Sequence, residues 1–187
     1  MAVKILGIAG SLRAMSYNRA LLRAAIEVAP AGMQLTSFDI GAIPGYNSDL
    51  EAAGLPEPVA ALKAAIGAAD GLLFVTPEYN YGVPGVLKNA IDWASRAAKG
   101  EKPVLNGKAA GILGASPGMA GTARAQAQLR QAFVFTQTYA LQGPEFLVAS
   151  AHEKFDADGR LTDAKARERL VKYLELLAAW TERLRGW

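Results

Sequence analysis

The chain contains no cysteine and a single histidine, His152, among its 187 residues. The first absence excludes a disulfide framework, a thiolate nucleophile, an iron–sulfur cluster and a cysteine-rich zinc site; the second excludes a histidine metal cluster. Charge is scarce in any concentrated form. Twenty Lys and Arg against 17 Asp and Glu leave a net +3, and the basic residues are spread along the chain, so no electrostatic footprint for nucleic acid is visible. No run approaches the roughly 18 apolar residues of a membrane span. The stretch after Lys4, "ILGIAG", is too short for a signal peptide and meets Arg13 almost at once, which makes it a buried strand instead. These exclusions leave an expected cytoplasmic chain, a single domain over residues 1–187, with 51% hydrophobic residues as material for a core.

What is present is a rhythm. Short β-branched apolar runs, "VKILGIA" (3–9), "MQLTSFDI" (33–40), "GLLFVTP" (71–77), "KAAGILGAS" (108–116) and "EFLVA" (145–149), alternate with stretches of helical period at 18–29, 57–69, 85–98, 122–136 and 163–184. In the first helix Leu21, Leu22, Ala25 and Ile26 share a stripe, with Ser16 as N-cap. Pro56 or Pro58 starts the second, Thr122 caps the fourth, and Thr162 or Asp163 the last. The run 71–77 is apolar throughout, as a central strand covered on both faces requires. Strands alternating with helices imply βαβ units, hence an α/β doubly wound, five-stranded parallel sheet with helices on both faces. Order 2-1-3-4-5 places the ligand beyond the carboxyl ends of strands one and three.

Three loops at those ends carry unusual chemistry. After strand one, Gly10 permits a sharp turn, Ser11 and Ser16 bring hydroxyls, Arg13 a guanidinium and Asn18 an amide, next to unpartnered N–H groups of a helix start. That donor set suits a phosphate; Ser16 as a plain cap and Arg13 as a solvated residue is the alternative. A dinucleotide fingerprint is missing its third glycine, and Asp39, at the end of strand two, comes late for a ribose-binding acid. Gly107-Lys108 is followed by Ala109, so the NTP-binding phosphate loop is absent too. After strand three, "TPEYNYGVPG" (76–85) sets Tyr79 and Tyr81 around Asn80 between Pro77 and Pro84, a stiff wall for a planar ring or a cover for the sheet end. After strand four, Ser116, Gly118 and Gly121 allow close approach by a ligand or make an ordinary turn.

"GSLRAMSYNR" followed by "TPEYNYGVPGVLKNAIDWASR", with "SPGMAGTARAQAQLRQ" and "GPEF" behind them, resembles the NAD(P)H-dependent FMN reductase family, especially its chromate and quinone reductase-like branch. The resemblance runs over nearly the whole chain and implies a flavodoxin-like fold. It also implies FMN held at its phosphate by Ser11, Arg13, Ser16 and Asn18. Pro77, Glu78, Tyr79, Asn80 and Tyr81 then border the ring and ribityl chain, with Ser116 and Gly118 on the other flank. NADPH or NADH is the implied co-substrate, and a quinone, free flavin, chromate or an azo compound the acceptor, in ping-pong order. Hydride chemistry on FMN N5 requires no catalytic side chain and no metal, and Glu78 is expected to face solvent. The rival class is a flavodoxin-like electron carrier, disfavoured by Arg13 and the basic charge; a non-redox nucleotide binder is disfavoured by the tyrosines. A homodimer or homotetramer is implied. Trp93 is then an interface aromatic or an intrachain packing residue, and Arg124 and Glu145 either pair across subunits or, as the better default, pair at the surface or not at all. The loop 41–58 is expected to be mobile, closing over the ring or merely decorating the surface, with His152 exposed, Trp180 a packing anchor and Trp187 a frayed end.

Overall fold

The computed structural model describes residues 2–98 and 100–185, so Trp187 lies outside the described residues. Five helices and a parallel sheet follow in alternation, with one short extra helix. The elements are β1 Val3–Ala9, α1 Tyr17–Glu27, β2 Met33–Phe38, α2 Ser48–Ala53, α3 Glu57–Ala68, β3 Gly71–Val75, α4 Gly85–Ala94, β4 Ala109–Ala115, α5 Ala123–Thr136, β5 Tyr139–Ala140, β6 Phe146–Val148 and α6 Ala164–Leu184. The sheet order is β2-β1-β3-β4-β5, all parallel, as the alternation of runs implies.

Side-chain alternation along the strands builds two cores. Leu73, Val75 and Leu113 meet Leu21 and Ala25 of α1 and Leu174 and Leu177 of α6. Leu72, Phe74 and Ile112 meet Leu62 of α3, Leu87 and Ile91 of α4, and Leu129 and Phe133 of α5. Each such side chain contributes about 1.5–3 kcal/mol on burial. All five residues of β3 are buried, which explains the uninterrupted apolar run.

The fifth strand differs from the expected 145–149. It comes in two pieces, β5 beside Ala109 and Ala110 and β6 beside Leu113 to Ala115. The gap leaves Ile112, paired with Phe74 of β3 on one side, without a strand partner on the other, and its N–H instead donates to Tyr173 Oη of α6 at 2.7 Å. Burial pushes that phenol up to about 12.

Three other expectations change. The helix expected over 85–98 stops at Ala94, where Ser95 takes the C-cap. Loop 41–58 is tied to α4: Asn89 Nδ2 and Trp93 Nε1 both donate to Pro44 O at 2.8 Å, and Tyr46 N donates to Asn89 Oδ1 at 2.7 Å. Arg96 pairs with Glu51, and the rings of Tyr46 and Trp93 meet edge to face. Trp93 is therefore fully buried within its own chain, which removes it as an interface aromatic. Trp180 anchors α6 by donating to Tyr139 O at 2.8 Å, and His152 is exposed in the 3-10 turn Ala151–Glu153.

Candidate functional site

The turns after β1, β3 and β4 open at one edge of the sheet. The first begins at Gly10, whose backbone carries no left-handed twist. The glycine is needed there for room, since a Cβ would come within 2.9 Å of Leu87 and 3.3 Å of Pro77. It lets the chain leaving β1 approach the chain leaving β3. Beyond it the amide N–H groups of Ser11, Leu12, Arg13, Ala14, Met15 and Tyr17 meet no protein acceptor among the described residues. Ser16 Oγ accepts from Asn18 N and Arg19 N, the N-cap its position implies. Its hydroxyl proton is still free to donate. Arg13 is exposed, lies 5.8 Å over the Tyr17 ring and has no acidic partner among the described residues. Unspent amides, two serine hydroxyls and one guanidinium at a helix start form an anion receptor.

Asn18 is placed otherwise than the motif suggests. It is 3% exposed, and its carboxamide points away from the turn into the fold. Nδ2 donates to Ala115 O and Oδ1 accepts from Ala115 N, both at 2.9 Å. This side chain ties the start of α1 to the end of β4.

The second turn is a closed wall. Tyr79 and Gly82 exchange backbone hydrogen bonds at 3.1 and 3.0 Å around Asn80 and Tyr81, whose φ values are +50° and +65°. Two successive non-glycine residues in the left-handed region store strain that the surroundings must impose. Helix α5 imposes it. Gln128 Oε1 accepts from Val83 N at 2.6 Å, and Glu78 reaches over to the helix start. Glu78 does not face solvent: its carboxylate accepts from Arg124 N at 2.9 Å, Ala125 N at 3.1 Å and Arg124 Nη1 at 3.1 Å. The carboxylate thus caps α5, where negative charge meets the positive end of the helix dipole. Thr122, expected as the cap, makes no side-chain cap bond. Within the chain Arg124 pairs with Glu78, and its guanidinium also stacks 4.0 Å from the Tyr81 ring centroid.

Ser11 Oγ lies 3.3 Å from Tyr79 Oη, so the anion receptor and the aromatic wall touch. In the third turn Ser116 Oγ accepts from Gly118 N at 3.1 Å, and Ser116 N donates to Val148 O. Exposed Met119 completes the rim. Of the residues singled out in sequence, Ser11, Arg13, Ser16, Tyr79, Asn80, Tyr81, Ser116 and Gly118 line the three turns, while Pro77 packs behind Gly10 and Asn18 and Glu78 hold the turns together. Sequence reasoning missed Gln128 and the role of Arg124. They stand four residues apart on α5, a spacing that puts them on one helical face.

A family model of NADPH-dependent FMN reductases matches residues 3–153. The chain belongs to this family. An NAD(P)H-dependent FMN reductase of Pseudomonas aeruginosa is 54% identical over 184 residues, covering 98% of each chain. A 2-hydroxy-1,4-benzoquinone reductase of a Burkholderia species is 40% identical over 180 residues, covering 96% of this chain and 97% of the relative. Among solved structures, the flavoenzyme NAD(P)H:(acceptor) oxidoreductase FerB of Paracoccus denitrificans matches with a TM-score of 0.88 at 36% identity, over 97% of this chain and 98% of that one. Membership in the FMN reductase family makes the chain an NAD(P)H-dependent oxidoreductase. No helix among the described residues is long and apolar enough to cross a membrane.

Proposed function

We propose that this FMN reductase family member draws two electrons from NADPH or NADH and passes them through bound FMN to quinones, free flavin or other small acceptors, chromate and azo compounds among them, in ping-pong order. The observation that carries the reading is the contact of Ser11 with Tyr79, which joins a set of unspent donors to an aromatic wall. Such a pairing fits a ligand with a phosphate at one end and a flat heteroaromatic ring at the other. FMN, when bound, supplies the hydride chemistry at its N5.

The chain's own residues bind and orient. Arg13, the Ser11 and Ser16 hydroxyls and the open amides of the first turn hold the phosphate, and charge-assisted bonds of this kind contribute about 1.5–3 kcal/mol each. Asn18 and Glu78 act as positioning residues, the first fixing α1 against β4 and the second fixing the wall against α5. The N–H groups of Glu78, Asn80 and Tyr81 have no protein acceptor among the described residues and offer themselves to ring heteroatoms. Ser116 and Gly118 close the other flank. The Burkholderia relative, named for a benzoquinone substrate, supports a quinone acceptor. The protein works in the cytoplasm. Its assembly as a homodimer or homotetramer is supported by exposed Val134 and Phe135 at the end of α5 away from the site.

An anaerobic titration of the FMN-loaded protein with NADPH tests this. Rapid, stoichiometric bleaching of oxidised flavin and recovery on adding a benzoquinone are expected. Flavin that only a chemical reductant bleaches would mark an electron carrier instead.

A further inference from the structure

The chain has no cysteine, so methionine carries all of its sulfur. Three methionines fall among the described residues, and the fold sorts them sharply. Met33 opens β2, is 8% exposed and packs in the core with residues of α1. Met15 is 58% exposed in the turn after β1, and Met119 is 83% exposed in the turn after β4. Both exposed thioethers therefore stand at the one edge of the sheet where the flavin reading places ring and phosphate. Neither belongs to a core, so packing does not account for a methionine at either position.

Met119 is also held in place. Ser150 Oγ donates to Met119 Sδ at 3.6 Å, a distance at which the larger sulfur atom still accepts. Ser150 lies in the left-handed region at φ +47°, and this segment braces the same turn: Ser150 N donates to Gly118 O at 3.4 Å and Ala151 N to Ser116 O at 3.0 Å. The sulfur is thereby kept against a turn that borders the site instead of trailing into solvent.

We propose that Met119, with Met15, is a site of reversible oxidation by hydrogen peroxide released at the flavin, and that the sulfoxide turns down the use of apolar acceptors. The proposal rests on the oxidoreductase reading above. Two electrons and two protons passed from reduced flavin to dioxygen make one hydrogen peroxide and leave oxidised flavin. A sulfur lone pair then attacks the peroxide, one S–O bond forms, the O–O bond breaks and one water leaves; the methionine becomes methionine sulfoxide, which methionine sulfoxide reductases reverse. Peroxide leaving the site meets these two sulfurs before the buried third. The oxidised side chain is polar, and its oxygen is a stronger acceptor than sulfur for the Ser150 hydroxyl. An apolar rim that suits a quinone becomes a polar one.

The FMN-loaded protein, treated with a small excess of hydrogen peroxide and read by peptide mass spectrometry, tests the modification. One added oxygen is expected on Met119 and on Met15 well before Met33. The treated enzyme should show KM for an alkyl-substituted benzoquinone raised about threefold, with KM for NADPH unchanged. Met119→Leu has no sulfur there to oxidise and should keep after peroxide the quinone KM that it had before. NADPH turnover in air should oxidise the same two residues, and anaerobic turnover with benzoquinone neither. Met33 oxidised as fast as Met119, an unchanged quinone KM in protein oxidised at Met119, a peroxide effect that persists in Met119→Leu, or air turnover that leaves both residues intact overturns the proposal. NADPH that fails to bleach the flavin would sink the oxidoreductase reading instead, and the two failures are distinguishable because the order of oxidation by added peroxide is read without turnover.

Discussion

The turn after β1 and the turn after β3 touch through Ser11 and Tyr79, yet they are built in opposite ways. From Ser11 to Met15 the backbone donors are unspent and the one cation, Arg13, has no acidic partner among the described residues. From Glu78 to Val83 the turn closes on itself by the paired Tyr79 and Gly82 bonds, and Glu78 and Gln128 fasten it to α5. Donors open to water cost little, but they give the turn no bonds of its own to hold its shape. The first turn is held from both ends instead, by Gly10 N donating to Val75 O, by the Ser16 cap and by the Asn18 clamp on Ala115. A receptor for an anion therefore sits on borrowed rigidity, and the wall beside it supplies its own.

That contrast is open to attack residue by residue. Asn18→Ala strands both polar groups of buried Ala115 and should lower unfolding stability by about 3 kcal/mol in a urea titration. FMN affinity should fall with it, because the start of α1 loses its tie to β4. Arg13→Ala should do the reverse, weakening FMN roughly 10–100-fold by fluorescence titration while leaving stability within about 0.5 kcal/mol, as expected for an exposed side chain. A loss of stability in Arg13→Ala with full FMN affinity would erase the distinction between receptor and scaffold.

Two smaller effects sharpen it. Tyr173→Phe, away from both turns, leaves Ile112 N without its acceptor and should cost about 1–2 kcal/mol with no effect on FMN. The same phenol predicts a pH window. Its folded value of about 12 lies above the ordinary 10.0, so the folded state holds the proton more tightly. The contribution to stability is complete below pH 10.0 and is lost as pH rises toward about 12, and Tyr173→Phe should remove that alkaline decline. Glu78→Gln keeps an acceptor over the start of α5 but loses the charge that meets the helix dipole and Arg124. It should cost about 1 kcal/mol in the same urea assay and loosen the Tyr81 stack.

What was legible in the sequence follows the range of each interaction. The parallel order came from apolar runs such as Gly71–Val75, whose burial on both faces leaves a local signature. Ser16 was legible as a cap because it bonds within three residues. The side-chain contacts of Glu78 and Asn18 are illegible for the opposite reason: their partners lie 46 and 97 residues away, so a motif that matches a binding loop does not tell which side chains face the ligand. Trp93 stays open between interface and intrachain packing in the sequence, because nothing in the helix around it reveals Pro44, 49 residues back, as its acceptor. The two-part fifth strand was half seen, since Tyr139–Ala140 is too short to form a pattern and Phe146–Val148 is not. Helix α2 was missed altogether, having no buried residue and hence no periodicity to read.

The most direct test is a crystal structure of the protein with FMN bound. The account predicts the phosphate against the amides of residues 11–17 and Arg13, and the ring beside Tyr79, Asn80 and Tyr81 with Asn18 still clamped on Ala115. A phosphate seated between Arg19 and Arg23, or a ring that leaves the turn after β3 uncovered, would contradict it.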